Sequence, residues 1–150
     1  MSLEEKINQD IKKAMLAREK EKLEALRAVK TALLIAKTEK GASNDITEDA
    51  ELKILQRLVK QRKESAAIFE EKNRKELAEK EMFEAKIIEV YLPEQMSYED
   101  LTKHVQKIIN ELGANSMADM GKVMGRASKE LAGKADGKAI ADKVKLLLLS

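Results

Sequence analysis

The strongest constraint on this 150-residue chain is that it contains a single proline, Pro93. Proline interrupts a helix more reliably than any other residue, because it lacks a donor and its ring clashes with the preceding turn. Ahead of it, Gly41 is the only glycine in 92 residues, and apolar side chains recur there at intervals of three and four. That spacing builds helix faces. A β-sandwich would need β-branched residues, aromatics and frequent turns, whereas aromatics are 3% of this chain and Trp is absent. The expected fold class is therefore all-α: an N-terminal antiparallel bundle of helical hairpins over residues 1–92, then a small three-helix domain over 97–150. No internal repeat is visible.

The elements follow from caps and periods. Ser2 with Glu5 forms a capping box ahead of Leu3, Ile7, Ile11 and Ala14. The charged run from Ala17 to Lys22 is a break. A second helix carries Leu23, Leu26, Val29, Leu33 and Ala36, and Gly41 is its C-terminal stop. Residues 41–45 read as a loop. Thr47 caps a third helix with Leu52, Leu55, Val59, Ala66 and Phe69 at near-heptad spacing, widened by Ile54 and Leu58, with Arg62 in the seam. Asn73 with Glu76 suggests a cap after a turn at 72–74. The fourth helix then carries Leu77, Met82, Phe83, Ile87, Val90 and Tyr91 until Pro93 ends it. Beyond Tyr91–Met96, the expected boundary, Ser97 with Asp100 caps a helix bearing Leu101, Val105, Ile108 and Leu112, stopped by Gly113. Ser116 with Asp119 caps a sixth bearing Met120, Val123, Met124, Ala127 and Leu131. Asp136 caps the last, with Ile140, Val144, Leu147 and Leu148.

Several chemistries are disfavoured by composition. Without cysteine there is no disulfide and no thiolate chemistry. His104 is the sole histidine, so neither a Ser-His-Asp site nor a histidine-based metal site is suggested. No cofactor and no metal are expected. The longest apolar run, Leu146–Leu149, is too short to span a bilayer, and the first ten residues do not read as a signal peptide. The default expectation is a soluble cytoplasmic protein with no membrane partner. The acidic residues alternate with lysines, as in residues 19–22 and 79–81, which reads as a solvated helix face.

Net charge is +2, too small to indicate nucleic-acid binding from composition alone. Any such footprint must come from local placement. The place for it is Met117–Lys145, where Gly121-Lys122, Gly133-Lys134 and Gly137-Lys138 lie. These pairs do not form a P-loop, because GxxxxGK[ST] and a preceding strand are both missing. Gly133 suits a helix end and Gly137 a first turn. Gly121 and Gly125 lie four apart inside a helix, where each costs about 1 kcal/mol relative to Ala. A bare strip there admits another backbone closely, either a neighbouring helix or an RNA sugar-phosphate chain. Lys122, Arg126 and Lys129 form a basic stripe beside it, and Lys134 and Lys138 flank a helix N-terminus. No aromatics are interleaved, which leaves backbone or shape recognition as the nucleic-acid mode. Lys60, Arg62 and Lys63, with Arg27 and Lys30, make a second basic cluster. It also reads as a charged face paired with Glu51, Glu64 and Glu70.

Leu26-Arg27, VKQRKES at 59–65, YLPEQMS at 91–97, MGKVMG at 120–125 and GKADGKAI at 133–140 stand in an order that resembles the YqeY-like proteins. Through them the chain resembles the tail of the B subunit of the tRNA-dependent glutamyl/aspartyl amidotransferase. The resemblance covers essentially the whole chain. It implies an all-helical, non-catalytic accessory module that binds tRNA by shape and backbone or accompanies an amidotransferase. Carbon–nitrogen ligation with glutamine as amide donor would belong to the fused enzyme's kinase-like domain, which has no counterpart here. Carried onto this sequence, Lys122, Arg126, Lys134 and Lys138 would touch RNA, and Gly121, Gly125, Gly133 and Gly137 would permit its approach. A helical protein–protein interaction module is the other reading, and the near-heptad face of the third helix suits it. The oligomeric state is open.

Overall fold

The computed structural model describes residues 1–39 and 45–150. Among them the chain is all-helical, in keeping with the expected class. Seven α-helices run in order: α1 Leu3–Leu16, α2 Lys20–Glu39, α3 Glu48–Glu71, α4 Lys75–Glu89, α5 Tyr98–Leu112, α6 Met120–Glu130 and α7 Gly137–Leu149. A 3₁₀ turn, Met117–Asp119, leads into α6. The chain divides into two compact units, Met1–Leu92 and Pro93–Ser150.

Most helix starts are local chemistry. The hydroxyls of Ser2, Thr47 and Ser97 accept the backbone N–H of Glu5 (3.2 Å), Ala50 (3.1 Å) and Asp100 (3.1 Å), and the Asp136 carboxylate accepts that of Lys138 at 2.7 Å. Two expected caps differ. Asn73 does not cap α4; Arg74 stands at the N-cap with no side-chain bond. Asn73 instead adopts φ 56°, a left-handed conformation that Asn tolerates, and so turns the chain out of α3. Ser116 likewise makes no capping bond, and the Asp119 carboxylate accepts the Asn115 N–H at 3.1 Å. The Gly41 stop and most of the 41–45 loop lie outside the described residues.

The first unit is two hairpins, α1–α2 and α3–α4. Its core is Ile7, Ala14, Leu26, Val29, Leu33, Ile54, Leu55, Leu58, Val59, Ala85 and Ile88. The near-heptad face of α3 is therefore used within the chain. Across the first hairpin Lys37 pairs with Glu4, and Tyr91 donates a hydrogen bond to Asp10 of α1.

The face of α4 differs in part from the expected one, of which Ile87 and Tyr91 do pack against the core. Its buried residues are Ala78, Glu84, Ala85 and Ile88, whereas Leu77, Met82, Phe83 and Val90 are exposed. Small side chains let α4 close on α3. A row of large ones at those positions would hold it off. Glu84 is 8% exposed and lies 3.9 Å from Nε of Arg62, the seam residue of α3. Burial holds the Glu84 carboxyl above its usual range, against the opposing pull of Arg62. The helix also stops earlier than Pro93 requires. After Glu89, Tyr91 N–H donates to Ile88 and Leu92 N–H to Glu89, so the last turn tightens to three-residue spacing.

The second unit packs α5, α6 and α7 around Leu101, Val105, Ile108, Ile109, Val123, Ala127, Leu131, Ile140, Val144 and Leu148. It begins at Pro93 because the segment before α5 is tied into it. The Gln95 side-chain amide donates to the Gly133 carbonyl at 2.6 Å, and Met96 N–H donates to the Lys134 carbonyl at 2.9 Å.

Candidate nucleic-acid interface

That pair of bonds joins two sequence motifs, residues 91–97 and 133–140, and fixes the turn that carries Lys134, Asp136, Gly137 and Lys138. Gly133 has φ 75° and is buried, so its glycine is required by the turn itself. Gly137 is the first residue of α7, and a Cβ there would meet nothing within 4 Å. Lys134 and Lys138 are exposed, and no ion pair among the described residues involves either. They stand at the start of a 13-residue helix, whose dipole favours an anion and whose Lys138 N–H is already taken by the Asp136 carboxylate.

On α6, Gly121 and Gly125 are exposed, and a Cβ on either would again meet nothing within 4 Å. Among the described residues, no helix of the second unit therefore uses this strip for close packing. Of the two explanations for its glycines, an internal neighbour is the one the geometry removes. Lys122, between them, is exposed and outside every ion pair among the described residues.

Arg126 differs from the lysines. It is half-buried, donates to Glu111 of α5, and donates to Glu130 on its own helix at 3.0 Å. The hydrogen bond to Glu111, then that to Glu130, holds its guanidinium even further above its ordinary value. Glu130 also lies 3.6 Å from Nε2 of His104. The expected basic stripe of Lys122, Arg126 and Lys129 is thus interrupted by an ion-paired arginine that fastens α5 to α6.

Two cations of the basic cluster of the first unit are also spent on structure. Arg62 faces Glu84, and Lys63 pairs with Glu89 at 2.7 Å. Both partners lie on α4. The pairing expected with Glu51, Glu64 and Glu70 is not what these two cations make, because the α3–α4 hairpin brings α4 carboxylates closer than those on α3 itself.

Sequence reasoning missed one contact that shapes the second unit. Lys143 of α7 is 4% exposed, with its ammonium 3.2 Å from the centre of the Tyr98 ring at the start of α5. The signal was its register, three residues after Ile140 on the buried stripe.

A family model described as Yqey-like protein matches residues 4–148. The chain belongs to that family. Among its relatives is a protein named altered inheritance of mitochondria protein 41, mitochondrial, from Clavispora lusitaniae. It is 32% identical over 108 residues, covering 71% of this chain and 62% of the relative. The protein of the same name from Kluyveromyces lactis is 33% identical over 109 residues, 71% of this chain and 58% of the relative. The chain thus matches about three fifths of the length of these relatives. Both carry mitochondrial names, which overturns the cytoplasmic expectation: composition and apolar patterning do not fix a compartment.

Proposed function

We propose that the second unit is a tRNA-binding surface, and that the chain acts as a non-catalytic accessory module, alone or beside an amidotransferase. The observation that carries this is the open glycine strip of α6. Two helix-weakening residues face empty space, with an unpaired lysine between them. Lys134 and Lys138 add cations at the start of α7. The combination suits a phosphate backbone brought close to a helix, with charge supplied around it. Arg126 reaches a phosphate only by giving up Glu111 or Glu130, so on this reading the lysines carry most of the contact. The relatives' names speak of mitochondrial inheritance and specify no ligand or reaction, so the tRNA reading rests on the surface and on the family resemblance.

The test is binding of the full chain to bulk tRNA at low and at moderate salt. Three lysine–phosphate contacts give a slope of about −2 to −3 in log affinity against log salt. Replacing Lys122, Lys134 and Lys138 together by Glu abolishes measurable binding while the helical circular-dichroism signal stays unchanged. Equal affinity in the triple variant, or no binding at low salt, would overturn the assignment.

A helical protein-interaction role is favoured by a separate observation, the exposed apolar face of α4, which leads to a more specific conclusion.

A further inference from the structure

The outer face of α4 points to a second copy of this chain as its partner. We propose that two copies dock there antiparallel, forming a dimer with two-fold symmetry. This is independent of the tRNA reading and uses the other unit.

The inner face of α4 is occupied by the core through Ala78, Ala85 and Ile88. On the opposite side Glu79, Phe83, Lys86 and Val90 follow at i, i+4, i+7 and i+11, with Met82 beside them, and so form one stripe. Met82 is 38% exposed, Phe83 40% and Val90 77%. The chain has only two phenylalanines, and one of them lies on this outer surface. The stripe is about 17 Å long at 1.5 Å per residue.

Its charges identify the occupant. Flanking charges are already paired inside the unit: Lys80 with Glu24 at 3.2 Å, and Glu89 with Lys63 at 2.7 Å. Glu79 and Lys86 enter no ion pair among the described residues. They lie equally far from the midpoint between Met82 and Phe83, one on each side. A second α4 crossing antiparallel at that midpoint sets Glu79 against the partner's Lys86, and Lys86 against the partner's Glu79. Met82 and Phe83 of both copies fill the centre. Val90 then lies over the stem of the partner's Lys75, whose methylenes cover it while the ammonium stays in water. A parallel crossing would instead put like charges together. The pattern is self-complementary, as an isologous interface requires. One helix from each copy makes a small interface, so the dimer is concentration-dependent.

Sedimentation of the full chain across a concentration series up to submillimolar tests this. The wild type shifts from monomer to dimer. Glu79→Lys alone, or Lys86→Glu alone, turns both cross-pairs repulsive and weakens the dimer about tenfold or more. Mixing the two single variants restores association, because each supplies the charges that the other has lost. The double variant Glu79→Lys/Lys86→Glu dimerises like the wild type. All substitutions are on exposed positions, and unchanged helicity confirms that each variant is folded. A wild type that stays monomeric throughout, or a dimer indifferent to both single reversals, would overturn the proposal. So would mixed variants that fail to associate.

Discussion

Three helices end by the same device, and the residue that bends the chain differs each time. Arg18 (φ 58°), Asn73 (φ 56°) and Gly113 (φ 64°) all sit in the left-handed region. In each case the next N–H reaches back five residues: Glu19 to Ala14, Arg74 to Phe69 and Ala114 to Ile109. Glycine adopts this geometry without strain, Asn tolerates it, and Arg pays a steric cost of roughly 1–2 kcal/mol. Arg18→Gly is therefore expected to stabilise the first unit by about 0.5–1 kcal/mol, the relief being partly offset by greater unfolded-state freedom. A urea titration would show this as a raised midpoint. Glu84 bears on pH. Burial raises its folded-state value above the ordinary 4.5, so the folded chain holds its proton more tightly than the unfolded chain does. The stability from this group is complete below that ordinary value and is lost as pH climbs through the raised one. Glu51, raised first by burial and then by Glu48, acts in the same direction. Glu84→Gln should gain stability relative to the wild type as pH rises above the ordinary carboxylate value. Parallel denaturation curves for the two proteins would count against it.

At the scale of the element, α6 separates stability from binding. Its buried side is Val123 and Ala127, while Gly121 and Gly125 lie on the open side. Nothing obstructs a methyl group at either glycine, so Gly121→Ala and Gly125→Ala each stabilise the helix by about 0.5–1 kcal/mol. If the strip exists to admit an RNA backbone, the same substitutions weaken tRNA binding several-fold while raising the melting temperature. Variants that are more stable and bind equally well would leave the glycines without a part in the interface. Arg126 belongs to this scale too. Held by Glu111 and Glu130, it makes α5 and α6 one surface, and reversing its charge would set three carboxylates together.

At the scale of the molecule, each unit has a core of its own, and the second owes part of its integrity to residues 93–96, ahead of the Ser97 cap of α5. A fragment covering 93–150 is expected to fold, since its core from Leu101 to Leu148 is internal to it. A fragment starting at Ser97 loses the bonds from Gln95 to Gly133 and from Met96 to Lys134. It should be less stable by about 1–3 kcal/mol, from two hydrogen bonds of ordinary strength. Comparing the melting curves of the two fragments checks this. The link also explains why the 91–97 and 133–140 motifs belong together: one clamps the turn built by the other.

Much of this protein was legible in its sequence because much of it is local. The all-α class, the caps at Ser2, Thr47, Ser97 and Asp136, and the glycine stop at Gly113 rest on interactions within a few residues and on a period of 3.6. The buried stripes of α1, α2, α3 and α7 were readable too, since each carries its apolar residues on one side, and so was that of α5 except that Ile109 is buried while the expected Leu112 is exposed. For α4 the period was not enough. It bears large apolar residues on one side and alanines on another, and only the close approach of α3 decides that the alanines go inward. That choice pushes Phe83 and Val90 out and draws Glu84 in. Tertiary structure likewise decided which cations remain free. Arg62, Lys63 and Arg126 found carboxylates on other helices, while Lys122, Lys134 and Lys138 did not among the described residues. An ion pair between helices depends on distances across the fold, which no spacing along the chain encodes.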